Sequence, residues 1–368
     1  MKRLLPFSLV VCGSILAYAC SSSDSGTTPT NPSNEGGSSG SSGSSGTSGT
    51  SGTSGGPGDG GTDSPVGPTG NPIEGVGTPT DVPNFAGIYT TGPIWKTDGL
   101  YYSVVGNPSS FVKLTPPATT APQHVAGADT ALLGSTFDTK SNFFITCEAV
   151  TSAGNPSATG GGSLSRTGPT GGASMPITLG FDAGGVPFDT PEDVVARKDG
   201  TLYVADSALL SLNPAITSNH VWHLKPNAAG YDVFDVKMDG RPSGVALSPD
   251  EKTLYVALSQ PEPFIPVINK HTVATDGSLG AGTKFAEVSP NDPNNPKFGV
   301  AVDTAGNVYA AGKTGVDVFK PDGTKWGKVT TTRALNGLTF GGADGKTLYM
   351  TSGTGLMQVT VKVAGLLQ

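Results

Sequence analysis

The sequence predicts an all-β protein: a six-bladed β-propeller preceded by a signal peptide and a disordered Gly/Ser/Thr-rich linker. Three observations carry this prediction. A short apolar strand that reads Leu-Tyr-Val or similar recurs six times between residues 82 and 368. Polar turns rich in Gly and Asp precede several of these strands, and no segment of the domain has a convincing helical pattern. The aligned aromatic residues are Tyr101, Phe144, Tyr203, Tyr255, Tyr309 and Tyr349.

The spacing of the repeated strand points to propeller blades. The aligned aromatic residues lie 40 to 59 residues apart, and all-β repeats of roughly 40–50 residues are typical of blades. A second pair of strands is visible in places, as at residues 221–224 and 231–236. The alternative is a β-sandwich whose strands resemble one another by chance, and six copies of one two-strand unit disfavour it.

Residues 1–19 have the features of a secretion signal. Lys2 and Arg3 are followed by an apolar stretch at 4–19, which is shorter than the ~20 residues that a membrane span needs. Residues 16–20 (LAYAC) resemble a lipobox, in which small residues precede a cysteine that becomes lipidated. We therefore expect Cys20 to carry a lipid anchor. The alternative is an ordinary signal peptide cleaved after Ala19.

Residues 20–81 are predicted to form a disordered tether. This segment consists mainly of Gly, Ser, Thr and Pro, and no Lys or Arg occurs between Arg3 and Lys96. It cannot bury enough apolar area to offset its ordering entropy. A Gly/Ser chain of ~60 residues reaches about 40–45 Å.

The residue after Cys20 bears on the location of the protein. An aspartate at this place would retain some lipoproteins at the inner membrane, but this chain has Ser21. We therefore expect an outer-membrane location in the cell envelope.

Composition limits the remaining classes of partner. The net charge of −7 disfavours nucleic acid, and no second long apolar run follows residue 20. Cys12 lies in the signal and Cys20 is the expected anchor, so Cys147 is the remaining cysteine of the domain. We expect Cys147 to be a small buried strand residue with no disulfide, and the domain to be a monomer.

The repeated units resemble a known family. The segments that carry the resemblance include residues 190–206 (TPEDVVARKDGTLYVAD), 241–256 (RPSGVALSPDEKTLYV), 298–309 (FGVAVDTAGNVY) and 92–95 (GPIW). They are similar to the senescence-marker-protein/gluconolactonase/luciferin-regenerating-enzyme (regucalcin-like) family. The resemblance implies a six-bladed propeller over residues 82–368. It also implies a divalent cation, commonly calcium, in the central channel and hydrolysis of sugar lactones or related esters.

The resemblance also implies which residues form the channel mouth, and these depart from the family pattern. The place of Thr91 usually holds a metal-binding glutamate, and the places of Glu192 and Ser243 usually hold asparagines. The place of Leu258 usually holds an aspartate that acts as ligand and general base. Calcium prefers six to eight oxygen ligands, so the usual metal ligands are missing. The expected mouth residues are Thr91, Leu133, Glu192, Ser243, Leu258, Phe298 and Asn336.

Glu192 and Asp206 are the candidate acidic pair. They flank the turn at 198–200 almost symmetrically, so an antiparallel hairpin would bring them within cross-strand reach. Facing carboxylates repel unless a proton or a cation lies between them. We therefore treat both as candidate catalytic or metal-binding residues. The alternative is a solvated Glu192 and an Asp206 that caps a loop. His220 and His223 would lie on opposite faces of a strand, which disfavours a zinc pair.

Two functions from different classes follow. The first is a membrane-anchored extracytoplasmic propeller that binds a small molecule, such as a sugar-derived ligand, or a partner at a channel mouth without the usual metal ligands. The alternative is a divergent sugar-lactone or ester hydrolase of the gluconolactonase type. Family resemblance favours the enzyme, and the missing ligands favour the binding protein.

Overall fold

The computed structural model describes residues 70–83, 87–105, 109–116, 123–128, 131–149, 162–177, 188–208, 218–259, 265–289 and 298–367. The signal peptide, Cys20 and the linker up to residue 69 lie outside the described residues. The chain divides into two compact units, Met1–Pro65 and Val66–Gln368, and every described residue belongs to the second. All regular secondary structure in the described part is β-strand, and it includes no helix long and apolar enough to cross a membrane.

The strands form six antiparallel sheets of four strands each, so the predicted six blades are confirmed. Strand β1 spans Thr80–Asp81. The first blade contains β2 (Thr90–Lys96), β3 (Gly99–Val104), β4 (Ser109–Leu114) and β5 (Gln123–Ala128). The second contains β6 (Ala131–Asp138), β7 (Phe143–Ala149), β8 (Ser163–Thr167) and β9 (Met175–Pro176). The third contains β10 (Thr190–Ala196), β11 (Leu202–Ser207), β12 (Asn219–Asn227) and β13 (Gly230–Met238).

The last three blades repeat the pattern, and the sixth borrows its outer strand from the start of the domain. The fourth contains β14 (Arg241–Leu247), β15 (Thr253–Ser259), β16 (Val267–Thr272) and β17 (Thr283–Glu287). The fifth contains β18 (Val300–Val302), β19 (Val308–Gly312), β20 (Gly315–Phe319) and β21 (Lys325–Thr330). The sixth contains β22 (Leu335–Gly341), β23 (Thr347–Ser352), β24 (Gly355–Thr360) and β1.

The ring is closed by pairing the two ends of the domain. In the sixth blade, β1 pairs antiparallel with β24, with Thr80 opposite Gln358. The hydroxyl of Thr90 donates to the carbonyl of Gly355 at 3.0 Å, which ties β2 to the sixth blade. The propeller therefore begins before residue 82, where the sequence analysis placed its start. Strand β1 was assigned to the tether because a two-residue strand carries no periodic signal.

The turn chemistry follows the sequence. In the turn between β10 and β11, Gly200 has a φ of 87°, which glycine adopts without steric cost. The carboxylate of Asp199 accepts a hydrogen bond from the Thr201 backbone N–H at 2.9 Å. The second strands that follow these turns are buried between blades, and their six aligned aromatic residues are each at most 6% exposed. Cys147 is also buried, as a free thiol.

The first strands of successive blades contact one another around the central channel. We call β2, β6, β10, β14, β18 and β22 the inner strands. In five of the six blades, a register shift of the β-bulge type interrupts the pairing of the inner strand with its neighbour near its start. Such bulges bend a strand and redirect its side chains. The bulged positions include Glu192, Ser243 and Asn336.

A ring of small residues follows the bulges, and we call it the glycine ring. Its members are Gly92, Gly134, Asp193, Gly244, Gly299 and Gly337. A Cβ atom on Gly134 would lie 2.4 Å from the Cα atom of Asp193, and one on Gly299 would lie 2.9 Å from the Cα atom of Gly337. The backbones of neighbouring inner strands therefore touch at this level, which leaves no room for side chains between them.

We expect Gly134→Ala to lower the free energy of unfolding by about 3 kcal/mol, because the added methyl group must push two backbones apart. Gly77→Ala is the matched control, since a Cβ atom there meets nothing within 4 Å, and its effect should stay within about 0.5 kcal/mol. Urea unfolding of both variants measures the difference. Equal stabilities would contradict the close approach of the inner strands at Gly134.

Candidate functional site

The residues just before the glycine ring occupy equivalent places near the starts of the inner strands, which contact one another in turn. We keep the name channel mouth for these six predicted positions. Its six residues differ in exposure: Phe298 is 0% exposed, Glu192 and Asn336 are 6%, Leu133 is 8% and Thr91 is 9%, while Ser243 is half-buried. The mouth therefore combines one carboxylate, one amide and two hydroxyls with two apolar side chains.

Glu192 and Asp206 do not form the expected facing pair. Asp206 lies opposite Pro191 instead, because the bulge places Glu192 outside the regular register. The carboxylate of Glu192 accepts a hydrogen bond from the Ser207 hydroxyl at 3.2 Å. A one-residue bulge leaves no mark in the hydrophobic pattern, so counting from the turn at 198–200 gave the wrong partner.

Asp206 holds the chain where it enters the third blade. Its buried carboxylate accepts hydrogen bonds from the backbone N–H groups of Asp189 (3.0 Å) and Thr190 (2.7 Å) and from the Trp222 indole N–H (2.9 Å). Burial raises the pKa of Asp206 to about 7, although these three N–H donors favour the ionised form and act in the opposite direction. Asp206 therefore anchors the backbone at the start of the third blade, and its carboxylate oxygens already accept hydrogen bonds from protein groups.

Asp193 is the acidic residue that the sequence analysis missed. It takes the place that glycine holds in the other five blades, and its carboxylate accepts a hydrogen bond from the Val245 backbone N–H at 3.0 Å. Asp193 thus bridges the third and fourth blades inside the channel. Burial raises its pKa to about 7, and the neighbouring charge of Glu192 acts in the same direction. Aligning the six units at their glycines would have revealed this exception.

A group of carboxyl side chains surrounds Cys147 at the boundary of the second and third blades. Burial raises the pKa of the Cys147 thiol well above its usual value, and the charges of Asp193, Glu192, Asp206 and Glu148 raise it further. A thiol needs its anionic form to act as a nucleophile or metal ligand. Cys147 is therefore held as an inert, neutral thiol.

Asn336 carries an unsatisfied hydrogen-bond donor. Its side-chain oxygen accepts from the Thr351 hydroxyl at 2.7 Å. Its Nδ2 atom is buried and has no hydrogen-bond partner. Buried amide groups without partners are uncommon, because the lost hydration costs about 1–3 kcal/mol. Asn336 therefore offers a donor at the mouth that a ligand acceptor could satisfy.

The residues at the expected metal positions do not fit calcium. The Ser243 hydroxyl exchanges hydrogen bonds with the backbone of Phe298, donating to its carbonyl and accepting from its N–H, both at 3.2 Å. Leu258 is 1% exposed and packs in the apolar cluster between the third and fourth blades. Thr91 supplies one hydroxyl. Among the described residues, no three or more His, Cys, Asp or Glu side chains are placed to hold a metal ion.

On the other side of the glycine ring lies a cavity of about 450 Å³. Asp193 forms part of the cavity wall. Its side chain is therefore only half-buried, although protein surrounds it on all sides. Much of the wall is apolar and includes Ile94, Val195, Ala246, Val300 and Leu338. None of the expected mouth residues lines the cavity.

The six four-stranded blades and the ringed channel define a β-propeller, and comparison with known proteins identifies its family. The model of the SMP-30/Gluconolactonase/LRE-like region matches residues 90–354. The chain therefore belongs to this family, as the sequence resemblance predicted.

Individual relatives are more distant. A gluconolactonase of Zymomonas mobilis is 27% identical over 189 residues, which make up 48% of this chain and 52% of that protein. The chain thus spans about half the length of this relative. A solved putative gluconolactonase has a TM-score of 0.62 and 23% identity, covering 82% of this chain and 96% of its own. A gluconolactonase from Xanthomonas campestris has a TM-score of 0.60 and 22% identity, with 75% and 87% covered. At these identities the two structures show the fold alone.

The raised pKa of Asp193 predicts a pH-dependent stability. Its proton is bound more tightly in the folded protein than in the unfolded chain, where the pKa is 3.8. The stabilisation from this group is therefore complete below pH 3.8 and is lost as the pH rises towards 7. Asp193→Asn cannot titrate and still accepts from the Val245 N–H.

Between pH 4 and pH 7, the free energy of unfolding of Asp193→Asn should fall less than that of the wild type, by on the order of 3 kcal/mol. Urea unfolding at a series of pH values measures both slopes. Parallel curves for the two proteins would show that Asp193 is ionised throughout this range.

Proposed function

We propose that this chain is a lipid-anchored propeller of the cell envelope that binds a small sugar-derived ligand at the channel mouth without metal-dependent lactonase chemistry. The observation that carries the proposal is the set of polar groups at the mouth. The six positions provide one carboxylate and one unpaired amide N–H, and they include no second carboxylate. Calcium sites typically draw on several carboxylate and carbonyl oxygens, whereas a polyhydroxylated ligand needs only mixed donors and acceptors.

Two side chains provide hydrogen-bonding groups that a ligand at the mouth could use. Glu192 can accept from ligand hydroxyls, and Asn336 can donate through the Nδ2 atom that has no partner in the protein. Leu133, which is 8% exposed, adds a small apolar surface of the kind that ligand sites usually contain. Similarity to the gluconolactonase of Zymomonas mobilis supports a sugar-derived ligand.

The second candidate function is a divergent lactone or ester hydrolase. Asp193 favours it, because a carboxyl whose pKa is raised to about 7 suits general acid–base work near neutral pH. Membership of the SMP-30/Gluconolactonase/LRE-like family also favours it. Two observations disfavour the hydrolase. The Asp193 carboxylate at the glycine ring already accepts a hydrogen bond from the Val245 N–H. The residues at the expected metal positions also do not fit the family's cation.

Calorimetric titration of the purified protein with calcium chloride and with D-glucono-1,5-lactone separates the two functions, together with a lactone-hydrolysis assay. We expect lactone binding without calcium binding and without calcium-dependent turnover. Glu192→Gln and Asn336→Asp should each weaken lactone binding about tenfold or more, since each removes one hydrogen-bonding group.

Glu287→Gln is the matched control, because this exposed glutamate on β17 lies in an outer strand, and lactone affinity should not change. Calcium-dependent turnover that Glu192→Gln abolishes would overturn the binding function and establish the hydrolase. Equal affinities in all variants would place the ligand elsewhere.

The anchor is a separate part of the proposal and rests on the LAYAC segment at 16–20. In a Gram-negative host, the wild type should incorporate labelled palmitate and fractionate with the outer membrane. Cys20→Ser should lose both properties, because it lacks the thiol that would carry the lipid. Cys12→Ser lies within the signal and is the matched control. Palmitate incorporation that persists in Cys20→Ser would contradict lipidation at this residue.

A further inference from the structure

The third blade holds a Ser–His–Asp arrangement outside the channel mouth. The Ser218 Oγ atom lies 2.9 Å from the His220 Nε2 atom, and the His220 Nδ1 atom is hydrogen-bonded to the Asp235 carboxylate. Ser218 directly precedes β12, His220 lies in β12 and Asp235 lies in β13. A nucleophile, a base and a group that orients the base are thus in hydrogen-bond contact, which is the signature of an activated serine.

We propose that Ser218 is the nucleophile of a metal-independent acyl-transfer site that takes small carboxylic esters. The sequence pattern predicts only that His220 and His223 lie on opposite faces of a strand. In the structure His223 stacks on Tyr203 and Phe234, on the face of β12 opposite to His220. Side chains two residues apart on a strand lie on the same face. The spacing of Ser218 and His220 was therefore the sequence signal for their contact.

Asp235 fixes the protonation pattern of the imidazole. An ionised carboxylate only accepts hydrogen bonds, so neutral His220 must carry its proton on Nδ1. The lone pair of Nε2 is then directed at the hydroxyl of Ser218, which donates to it. This is the tautomer that a general base needs in order to remove the proton of a serine hydroxyl.

Stacking against Trp222 holds the plane of the His220 ring. Trp222 stacks on it with ring centroids 4.7 Å apart and planes inclined by 16°. Trp222 is itself fixed, because its indole N–H donates to Asp206 at 2.9 Å and Phe188 packs edge-on against it. The His220 side chain is only 6% exposed, while that of Asp235 is 37% exposed. The base is therefore preorganised and largely shielded from water, and Ser218 remains partly exposed.

The reaction balances without a metal or a redox partner. The Ser218 oxygen attacks the ester carbonyl carbon while His220 takes the hydroxyl proton. The carbon–oxygen bond to the leaving alcohol then breaks, and the alcohol oxygen receives that proton. In the second half, His220 takes a proton from water, whose oxygen attacks the acyl carbon. The bond to Ser218 breaks, its oxygen regains the proton, and a carboxylic acid is released.

This inference does not depend on the proposed function at the channel mouth. The triad lies on the outer two strands of its blade, whereas the mouth is built from inner strands. Loss of lactone binding in Glu192→Gln would leave the triad unaffected. Conversely, a Ser218 that does not react would not contradict the proposed ligand binding at the channel mouth.

Labelling of the full-length purified protein with a biotinylated fluorophosphonate tests the inference, with the modified residue located by mass spectrometry. We expect one adduct, on Ser218, and its loss in Ser218→Ala. Asp235→Asn should slow labelling on the order of 100-fold, because the asparagine N–H turns the histidine tautomer around. Hydrolysis of p-nitrophenyl acetate should fall in parallel.

Ser248→Ala is the matched control, since the Ser248 hydroxyl donates to the carboxylate of Asp250 at 2.6 Å, an arrangement without an imidazole base. Labelling should not change in this variant. Asp235 is partly exposed, so urea unfolding should show a folded Asp235→Asn protein. An unlabelled Ser218 in folded wild type, or equal labelling rates in wild type and Asp235→Asn, would overturn the proposal.

Discussion

The close approach of the six inner strands is the constraint on which the rest of the structure depends. Each inner strand meets its neighbours backbone to backbone at the glycine ring, where an added Cβ atom on Gly92 would lie 2.2 Å from the Leu133 carbonyl oxygen. This contact sets the blades at a common level. It thereby places the six preceding residues at equivalent positions on the inner strands, and none of them lines the cavity beyond the ring. Asp193 is the exception that the ring tolerates, because its carboxylate replaces a packing contact with a hydrogen bond to the fourth blade.

Much of the fold could be predicted because each blade carries its own local signals. The repeated Leu-Tyr-Val strand and the Gly-containing turns fix the hairpins, and the spacing fixes the number of blades. The pairing of β1 with β24 was missed because it joins residues 278 positions apart, as Thr80 with Gln358, and a two-residue strand has no period. The predicted pairing of Glu192 with Asp206 was wrong for a related reason, because a bulge shifts the register of a strand without changing its composition.

The site was less predictable than the fold because its chemistry arises between strands. The list of mouth residues came from the family resemblance, but the occupied hydroxyl of Ser243 and the unpaired amide of Asn336 required coordinates. The contact between His220 and Asp235 also crosses two strands. Family membership fixes the propeller, whereas activity depends on side chains that can change while the ring remains intact. In this chain the inner strands meet at the glycine ring, and among the described residues no three or more His, Cys, Asp or Glu side chains are placed to hold a metal ion.

A crystal structure of the protein grown in millimolar calcium chloride tests that separation most directly. The account predicts a channel mouth in which no calcium ion contacts Glu192, Thr91 or Ser243, and in which Ser243 remains hydrogen-bonded to the backbone of Phe298. An ion held by Glu192 and neighbouring oxygens at roughly 2.3–2.6 Å, the range for calcium ligands, would contradict it. That result would restore the family's cation to this propeller by a different set of ligands.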